Sequence, residues 1–422
     1  MKMLVVNAGS SSLKFTVFDF SWLGKQKVLA SGQVECIGLP VSYLIYKNRD
    51  NVKTKSELEV CSERKAKKDY INHEDAMKHV CEKLLHKDEG IIGNINEVIA
   101  IGHRAVHGGE KITKPVIVND EVKKVMRDCF PLAPLHNPAN LQGIEACEKI
   151  FPNVPNVAIF DTAFHQTMGP DAFLYAIPYE LYKKYGYRKY GFHGTSHNYV
   201  ANATANFLKV SLDELKMVTC HLGNGCSMAA INKGKVIDTS MGMTPVEGLM
   251  MGTRCGDLDP AIVLELAKQG NTTEQVDKIL NKQSGLLGIA GIDSGDCRDV
   301  LQASDKGNKQ CELAVNMFVR RIVKYLGAYS ALLNGIDAIV FTGGIGEHSD
   351  TIREMVIDQV SSFNVGLNKQ VNENCKGEAP TIISTKDSRL RVVVMPTNEE
   401  LMIATQSIQL LLDENRLRLV AV

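Results

Sequence analysis

Three turns rich in glycine and serine follow short apolar runs, and their residue types suit the binding of phosphate. They span Asn7 to Ser12, His221 to Gly225 and Gly343 to Glu347. Glycine lets the backbone approach a bulky group, and the bared N–H groups and hydroxyls of such turns can hold phosphate oxygens. One turn of this kind alone would favour a plain β-hairpin. Three together predict a site for a phosphate-bearing ligand.

The motifs of other nucleotide-binding proteins are absent from the sequence. It contains no G-x-x-x-x-G-K-[ST] and no G-x-G-x-x-G followed by an acidic residue, which disfavours P-loop and dinucleotide folds. It also lacks the H-R-D and D-F-G segments of protein kinases. The paired hairpin turns and the Gly-Gly turn remain as the sequence features that predict phosphate binding.

Two arginines and one histidine lie in segments that could bind anions. Arg104 stands in "GHRAVHGG", Arg254 in "MGTRCGDLDP" and His193 in "FHGTSH". A guanidinium group suits the two oxygens of a carboxylate or phosphate, although a lone arginine is more often in a surface ion pair. A lone histidine is more often a satisfied core residue.

The histidine pairs His103/His107 and His193/His197 have a four-residue spacing that resembles a zinc motif. Neither pair carries the adjacent glutamate of H-E-x-x-H, and nearby glycines argue against helices there. We therefore expect no zinc at these histidines.

Two acidic residues and one lysine complete the candidates. Asp161 ends an apolar run, where α/β folds place functional groups, although a helix N-cap is an equal alternative. Glu399 begins a predicted helix after Pro396-Thr397, where acidic residues often only stabilise the helix dipole. Lys14 could face phosphates from the first hairpin or be a solvated lysine.

Length and composition limit the classes of protein. A chain of 422 residues predicts two domains, and balanced charges (48 basic, 48 acidic) argue against nucleic acid or an anionic membrane as the main partner. Its apolar runs are too short to cross a bilayer, and the N-terminus lacks a signal-peptide h-region. The 11 cysteines include no C-x-x-C pair. These features predict a reduced, cytoplasmic protein with small-molecule ligands.

Short apolar runs followed by Gly, Asp, His or Pro predict buried strands. The runs are Glu97 to Ile101, Val157 to Phe160, Lys216 to Cys220, Ala338 to Phe341 and Val392 to Met395. Helices are predicted from Asp259-Pro260 onward and over Cys311 to Leu333, whereas the charged run Lys53 to Lys68 is expected to be a solvated loop or helix face.

A weak internal repeat indicates two related halves. Met217 to Asp238 follows the same plan as Met3 to Asp19, namely a strand, a polar turn of small residues and a second strand. One copy begins the chain and the other lies near its middle, as expected if two related domains flank a cleft.

The turns "NAGSSSLKF", "HLGNG" and "FTGGIGE" together resemble the superfamily of acetate and sugar kinases, heat-shock chaperone ATPases and actin. Within it, "GHRAVHGG", "APLHNP", "FDTAFH", "YGFHGTSH", "MGTRCGDLDP" and "PTNEE" resemble the acetate kinase family, from residue 3 to about residue 404. The resemblance implies an α/β fold of two duplicated ribonuclease-H-like (actin-like ATPase) domains flanking a nucleotide cleft. It assigns residues 1–160 plus 397–422 to a substrate and phosphate domain, residues 161–396 to nucleotide binding and dimerisation, and implies a homodimer.

The resemblance also implies a reaction, in which a carboxylate oxygen attacks the γ-phosphorus of ATP in line and Mg²⁺ (or Mn²⁺) assists. It assigns catalytic roles to Arg104, Asp161, His193 and Arg254, and metal ligation to Asn7 and Glu399. ATP and ADP contacts carry over to Ser10, Ser12, Lys14, His221, Leu222, Gly223, Asn224, Gly225, Asp296, Cys297, Arg298, Gly343, Gly344, Ile345, Gly346 and Glu347.

An acyl pocket is implied as well. Its matching residues are Val106, Leu135, Phe192 and Pro245, with Arg104 at the carboxylate. Valine at 106 leaves room for a methyl group and crowds an ethyl group, which predicts acetate first, propionate second and butyrate poor. Cys226 stands where the family commonly has a small residue such as alanine, and Cys255 stands where serine is common. Because cysteine is also small we expect activity to be kept, and we expect thiol reagents to affect the site.

Two other functions stay open at this point. A propionate or other short-chain acid kinase differs only in the pocket. A nucleotide-driven binding module, like a chaperone or filament ATPase, belongs to another class; the two loop arginines and the missing substrate-binding C-terminal domain argue against it. If the protein is a kinase, a two-step mechanism through a phosphorylated Glu399 is the alternative to direct transfer.

Overall fold

Apolar runs build two separate β-sheets in this chain. The structure is a computed structural model that describes residues 1–20, 26–60 and 69–416. It divides into two units, of which the first comprises Met1–Ala163 and Glu399–Val422 and the second Phe164–Asn398.

The strands of the first unit form one sheet in the order β5-β4-β3-β2-β1-β6-β8-β7. They are β1 (Lys2–Ala8), β2 (Ser12–Phe20), β3 (Gln26–Glu35), β4 (Ser42–Asn48), β5 (Lys53–Leu58), β6 (Val98–Ala105), β7 (Val116–Ile117) and β8 (Asn156–Phe160). The second unit has the order β11-β10-β9-β12-β14-β13. Its strands are β9 (Lys216–Leu222), β10 (Cys226–Asn232), β11 (Lys235–Thr239), β12 (Ala338–Thr342), β13 (Thr381–Ile382) and β14 (Arg391–Val394).

The helices follow in chain order. They are α1 (His73–Leu84), α2 (Asp120–Asp128), α3 (Asn137–Ile150), α4 (Pro170–Phe173), α5 (Tyr179–Tyr185), α6 (Gly194–Leu208), α7 (Pro260–Lys268), α8 (Thr273–Lys282), α9 (Gly285–Ala290), α10 (Cys297–Asp305), α11 (Lys309–Leu332), α12 (Gly343–His348), α13 (Asp350–Asp358), α14 (Lys369–Asn374) and α15 (Glu399–Asp413). Short 3-10 turns cover Ile95–Glu97, Ala163–Thr167, Leu212–Glu214 and Ser361–Phe363.

The two sheets repeat one topology. β1 and β9 each lie at the centre, with an antiparallel meander on one side (β2-β3 and β10-β11) and two parallel strands on the other (β6-β8 and β12-β14). Even the two-residue edge strands correspond, because β7 and β13 each pair antiparallel with the last parallel strand. The prediction of two duplicated α/β domains is confirmed.

The central strand β1 is buried on both faces. Leu4 and Val6 belong to a core packed with α1 and α3, whereas Met3 and Val5 belong to a core packed with α15. Side chains of a strand alternate between faces, so a continuous apolar run is expected for a strand covered twice. The helix α15, which follows β14 in the chain, contacts β1, β6 and β8, and α6, which follows β8, contacts β9 and β12.

Several predicted elements are confirmed. The five apolar runs are β6, β8, β9, β12 and β14, and the helix expected over Cys311 to Leu333 is α11. Asp259 caps α7 by accepting a hydrogen bond from the N–H of Ala261 at 2.9 Å, with Pro260 as the first helical residue. After α11, Asn334 and Gly335 adopt left-handed backbone conformations that end the helix.

Three expectations are wrong in part. Lys53–Leu58 is an edge strand rather than a loop or helix, with exposed lysines that suit an edge; residues 61–68 of the charged run lie outside the described residues. The second repeat copy turns at Lys233-Gly234, both left-handed, so a third strand begins before Asp238. Most of the third turn is helical, because α12 begins at Gly343, although Gly343 itself has a left-handed φ of 75°.

Two further observations bear on the compositional predictions. Among the described residues, no helix is both long and apolar enough to cross a membrane. The cysteines in the described part of the chain are free thiols.

His103 joins the two parallel strands β6 and β8. Its Nε2 lies 2.7 Å from Oδ1 of Asn156, and only 2% of the residue is exposed. Burial lowers the pKa of His103 to about 4. The folded protein therefore keeps this imidazole neutral under conditions where an unfolded chain would protonate it.

We predict an acid-dependent loss of stability from His103. At pH values below its ordinary pKa of about 6.5, His103 is protonated in the unfolded state, whereas in the folded state it takes up the proton only near pH 4. The free energy of unfolding therefore falls as the pH drops from about 6.5 to about 4. The loss should reach about 2 kcal/mol at about pH 5. Urea unfolding at about pH 7 and about pH 5 should show this difference in the wild type and not in His103→Gln. His86→Gln, at an exposed histidine, should behave like the wild type.

Candidate active site

Parallel strands of the first unit bring an arginine and an aspartate together. Arg104 lies near the end of β6, and Asp161 follows the neighbouring strand β8. Nε and Nη2 of Arg104 donate to Oδ2 of Asp161 at 3.0 and 2.6 Å. Asp161 is buried and Arg104 is about a quarter exposed, so the carboxylate orients the guanidinium while part of it faces solvent. The charge of Asp161 raises the pKa of Arg104, which stays cationic.

Glu399 lies beside this pair at the start of α15. Its Oε2 is 4.0 Å from Nε of Arg104. Burial raises the pKa of Glu399 to about 7; Asp161 and Glu400 add to this effect, and the cations Arg104 and Lys14 oppose it. A divalent cation bound here would favour the charged carboxylate.

The first glycine-serine turn joins β1 to β2. The N–H of Gly9 donates to the carbonyl of Ser12 at 2.7 Å, which closes the turn. Ser10 and Lys14 are exposed and Ser12 is half-buried. Asn7 lies opposite Lys14 in the ladder. The predicted metal ligands and phosphate contacts of this unit therefore share one end of its sheet.

Sequence reasoning missed His73, which supports the same turn. Its Nε2 lies 2.7 Å from the carbonyl oxygen of Gly9, and the residue is buried at the start of α1. Nothing in the segment around His73 resembles the family motifs, so only the fold could reveal this contact.

The acyl-pocket residues divide between the two units. Val106 follows β6 and is buried, with its N–H donating to Oδ1 of Asn140 at 3.0 Å. Leu135 precedes α3 and is 65% exposed. Phe192, which is buried, and Pro245, which is half-buried, belong to the second unit.

In the second unit, His193 precedes α6 in a left-handed conformation with φ 56°. Such a conformation is uncommon outside glycine and is often retained at functional sites. Its Nδ1 lies 2.8 Å from Oγ of Ser227. His197 is on α6, so the expectation that nearby glycines exclude a helix is wrong at this pair.

Arg254 is a half-buried cation without a carboxylate partner. Its Nη1 donates to the carbonyl of Pro245 at 3.4 Å, and no Asp or Glu of the described residues forms an ion pair with it. Burial lowers the pKa of Arg254. Such a group is costly to bury unless an anion binds to it.

Arg254 and His193 converge above Gly225. A carbon placed on Gly225 would lie 3.3 Å from Nη1 of Arg254 and 3.6 Å from Nε2 of His193. Glycine at this position leaves the space between the two donors open. The arrangement suits an oxyanion or a phosphoryl group.

The remaining turn residues pack closely around this point. Nδ1 of His221 lies 2.8 Å from Oγ of Ser196, and Leu222 is buried. Gly343 has φ 75°, and a side-chain carbon there would lie 2.8 Å from the carbonyl oxygen of Leu222. Only glycine fits at 343 for both reasons. Oε1 of Glu347 accepts hydrogen bonds from the N–H groups of Gly343 and Thr397, so this oxygen stabilises the backbone around the turn.

A pocket of about 840 Å³ opens beside these turns. Seven predicted nucleotide contacts line it, namely Gly223, Asn224, Asp296, Cys297, Arg298, Gly344 and Ile345. Six other predicted nucleotide contacts of the second unit do not line this pocket, namely His221, Leu222, Gly225, Gly343, Gly346 and Glu347. The pocket is further lined by Leu301, Gln302, His348 and Asp350, which sequence reasoning missed because they carry no motif.

The two unusual cysteines differ in accessibility. Cys226 is fully buried, its Sγ lies 3.0 Å from the carbonyl oxygen of Gly223, and burial raises its pKa to about 12. Cys255 is half-buried, and burial raises its pKa as well. Since the thiolate is the reactive form, these positions disfavour the thiol sensitivity expected from the sequence.

No group of three or more His, Cys, Asp or Glu side chains within the described ranges is arranged to hold a metal ion. Mg²⁺ commonly uses only one or two protein carboxylates together with water and phosphate oxygens. The oxygens of Glu399 and Asn7 suit that ligand chemistry.

Most of the sequence matches a family model. The model of the acetokinase family covers residues 2–405. The chain belongs to this family. It is 49% identical to an acetate kinase of Carboxydothermus hydrogenoformans, over 98% of this chain and 100% of the relative.

Solved structures of the family share the fold. The acetate kinase of Porphyromonas gingivalis superposes with a TM-score of 0.90 at 42% identity, covering 97% of this chain and 99% of that one. A propionate kinase from Francisella tularensis gives a TM-score of 0.85 at 39% identity, covering 96% and 98%. The acetokinase motifs of this chain therefore lie in a shared fold.

Proposed function

We propose that this acetokinase-family protein is an acetate kinase that transfers the γ-phosphoryl group of ATP reversibly to acetate. The half-buried, uncompensated Arg254 beside His193 carries the proposal, since together they suit an anion that gains charge during a reaction. In the forward direction a carboxylate oxygen forms the new bond to phosphorus, and the bond to the β-phosphate oxygen of ADP breaks. Acetate is ionised at neutral pH, so no base is needed.

The residues of the first unit suit the acceptor. Arg104 is fixed by Asp161 through two hydrogen bonds and can neutralise the acetate carboxylate. Lys14 and the hydroxyls of Ser10 and Ser12 are assigned to phosphate oxygens. Val106 and Leu135, with Phe192 and Pro245 of the second unit, are assigned to the methyl group.

The residues of the second unit suit the nucleotide and the transition state. His193 and Arg254 would donate to the equatorial oxygens of the transferring phosphoryl group. The pocket lined by Asn224, Asp296 and Arg298 has room for the nucleoside.

Mg²⁺, with Mn²⁺ as a substitute, would be held by Glu399 and Asn7, and it would neutralise charge on the phosphates. The carboxylate and amide oxygens present fit such a hard cation. We assign Glu399 to the metal rather than to a phosphorylated intermediate. Inversion of configuration at phosphorus would agree with direct transfer, whereas net retention would require the two-step route.

A propionate kinase is the second candidate, because a propionate kinase shares the fold at 39% identity. We also propose a cytoplasmic homodimer. Free cysteines in the described part of the chain agree with a reducing compartment. The second unit exposes Tyr179, Tyr185, Ile262, Leu264, Leu313 and Met317, which suits an interface; the molar mass in solution would test it.

The first test is ADP release from Mg·ATP with acetate, propionate, butyrate or no acid, alongside trapping of acyl phosphate by hydroxylamine. We expect the highest kcat/KM with acetate, trapped product equal to ADP, and loss of the rate when EDTA removes Mg²⁺. Equal ADP release without acid, with nothing trapped, would instead indicate a nucleotide-driven binding module.

Arg254→Gln should separate activity from stability. We expect kcat to fall by about 100-fold or more, because a donor to the transition state is lost. The free energy of unfolding should stay equal or rise, because Arg254 is desolvated without a carboxylate partner. Arg254→Lys keeps the charge and serves as the comparison. A clear fall in the free energy of unfolding of Arg254→Gln, together with the fall in kcat, would contradict this account.

Val106→Ala should relax the choice of acid. The smaller side chain makes room for an ethyl group, so the ratio of kcat/KM for propionate to that for acetate should rise by about 10-fold. Val80→Ala, in the core of the first unit on α1, controls for a general cavity effect. An unchanged ratio in Val106→Ala would place the acyl pocket elsewhere.

A further inference from the structure

A chain of hydrogen bonds runs from the interior of the second unit to His193. Oγ1 of Thr219 lies 2.7 Å from Nδ1 of His197, Nε2 of His197 lies 2.8 Å from Oγ of Ser227, and this hydroxyl lies 2.8 Å from Nδ1 of His193. Thr219 and Ser227 are on β9 and β10, and His197 is on α6. Thr219, His197 and Ser227 are all fully buried.

When both histidines are neutral, every hydroxyl and every imidazole carries one hydrogen, and the donors of this chain can follow one another in two directions. In a third arrangement Ser227 would accept from both histidines, which would leave its own hydrogen buried without an acceptor among the described residues and is unfavourable. In the outward direction Thr219 donates to His197, His197 donates to Ser227, and Ser227 donates to Nδ1 of His193. In the inward direction each hydrogen bond is reversed. The outward direction leaves the imidazole proton of His193 on Nε2, and the inward direction leaves it on Nδ1.

The hydroxyl of Thr219 decides between the two directions. Within the described residues it makes a hydrogen bond to Nδ1 of His197 and to no second acceptor. In the inward direction it would only accept, so its own hydrogen would be buried without a partner, which is unfavourable. In the outward direction the hydroxyl hydrogens of Thr219 and Ser227 and the ring hydrogen of His197 each have an acceptor.

The charges around His197 and His193 agree with neutral rings. Burial, reinforced by His165 and His221, holds the pKa of His197 well below its ordinary range. His193 shares the space above Gly225 with the guanidinium of Arg254, and a second positive charge there would be repelled.

We propose that Thr219, His197 and Ser227 are positioning residues that fix the tautomer of His193, so that the neutral imidazole presents an Nε2–H donor beside Arg254. The inference rests on the proposed phosphoryl transfer for its use, and on the geometry alone for the tautomer. A fixed donor needs no reorganisation when charge develops on the phosphoryl oxygens. The neutral ring of His193 thus carries its hydrogen on Nε2, whereas an unguided neutral imidazole would divide it between two nitrogens.

The direct test is ¹⁵N NMR of protein labelled at histidine, at about pH 8, where an ordinary histidine is neutral. The His193 signals are assigned by their loss in His193→Gln. We expect a protonated, pyrrole-like Nε2 and an unprotonated, pyridine-like Nδ1. A proton on Nδ1, or on both nitrogens, would overturn the proposal.

Variants along the chain link the tautomer to turnover. Ser227→Ala should shift part of His193 to the Nδ1–H form and lower kcat about 10- to 100-fold with little change in KM. Thr219→Val, which has nearly the same shape and does not touch the site, should act in the same direction by about 3- to 10-fold, and Thr219→Ser should restore both readouts. Ser407→Ala removes a buried hydroxyl on α15 and should change neither.

The possible failures can be told apart. If Ser227→Ala or Thr219→Val is folded by circular dichroism and yet leaves the His193 signals and kcat unchanged, the positioning role is wrong. If the wild type shows the Nε2–H tautomer but forms no acyl phosphate, the proposed function is wrong while the tautomer assignment stands.

Discussion

Positive charge that must remain available for an anion is the constraint around which the second unit is built. Arg254 loses hydration without gaining a carboxylate, so the folded protein holds it at a cost in stability. Glycine at 225 keeps space open next to it, and the backbone of His193 adopts an uncommon conformation that brings its ring to the same point. Each of these features opposes stability locally, and each suits the phosphoryl group that we propose to bind here.

The duplicated topology uses its two halves differently. Both units form a turn between their first two strands, and both have an arginine nearby. In the first unit Arg104 is held by Asp161, so that its position is fixed and its charge is partly compensated. In the second unit the cation is left uncompensated. A carboxylate of fixed charge suits the first arrangement, and a phosphoryl group whose charge changes during transfer suits the second.

Local signals in the sequence predict much of this architecture. Apolar runs such as Ala338 to Phe341 are strands because burial on both faces requires continuous hydrophobicity, and Asp259-Pro260 begins a helix for reasons contained in those two residues. The same reasoning fails where the neighbours are distant in the chain. The run from Lys53 is a strand only because β4 lies beside it, and Gly344 and Gly346 are helical although the propensity of glycine disfavours a helix. His73, Ser227 and Thr219 carry no motif, since their importance arises only from the atoms that the fold brings next to them.

A neutral donor next to a single cation suits the proposed reaction. A second cation would be repelled by Arg254, and it would also bind the phosphates of ATP before the reaction; any binding that is equal in the ground state and the transition state does not raise kcat. A neutral N–H donor that is fixed where charge develops stabilises the transition state without a second positive charge. Because the proposed donation depends on the proton being at Nε2, the buried hydroxyl of Thr219 would contribute to the phosphoryl site through two intervening side chains. The interior hydrogen bonds of the second unit are then part of its chemistry as well as of its stability.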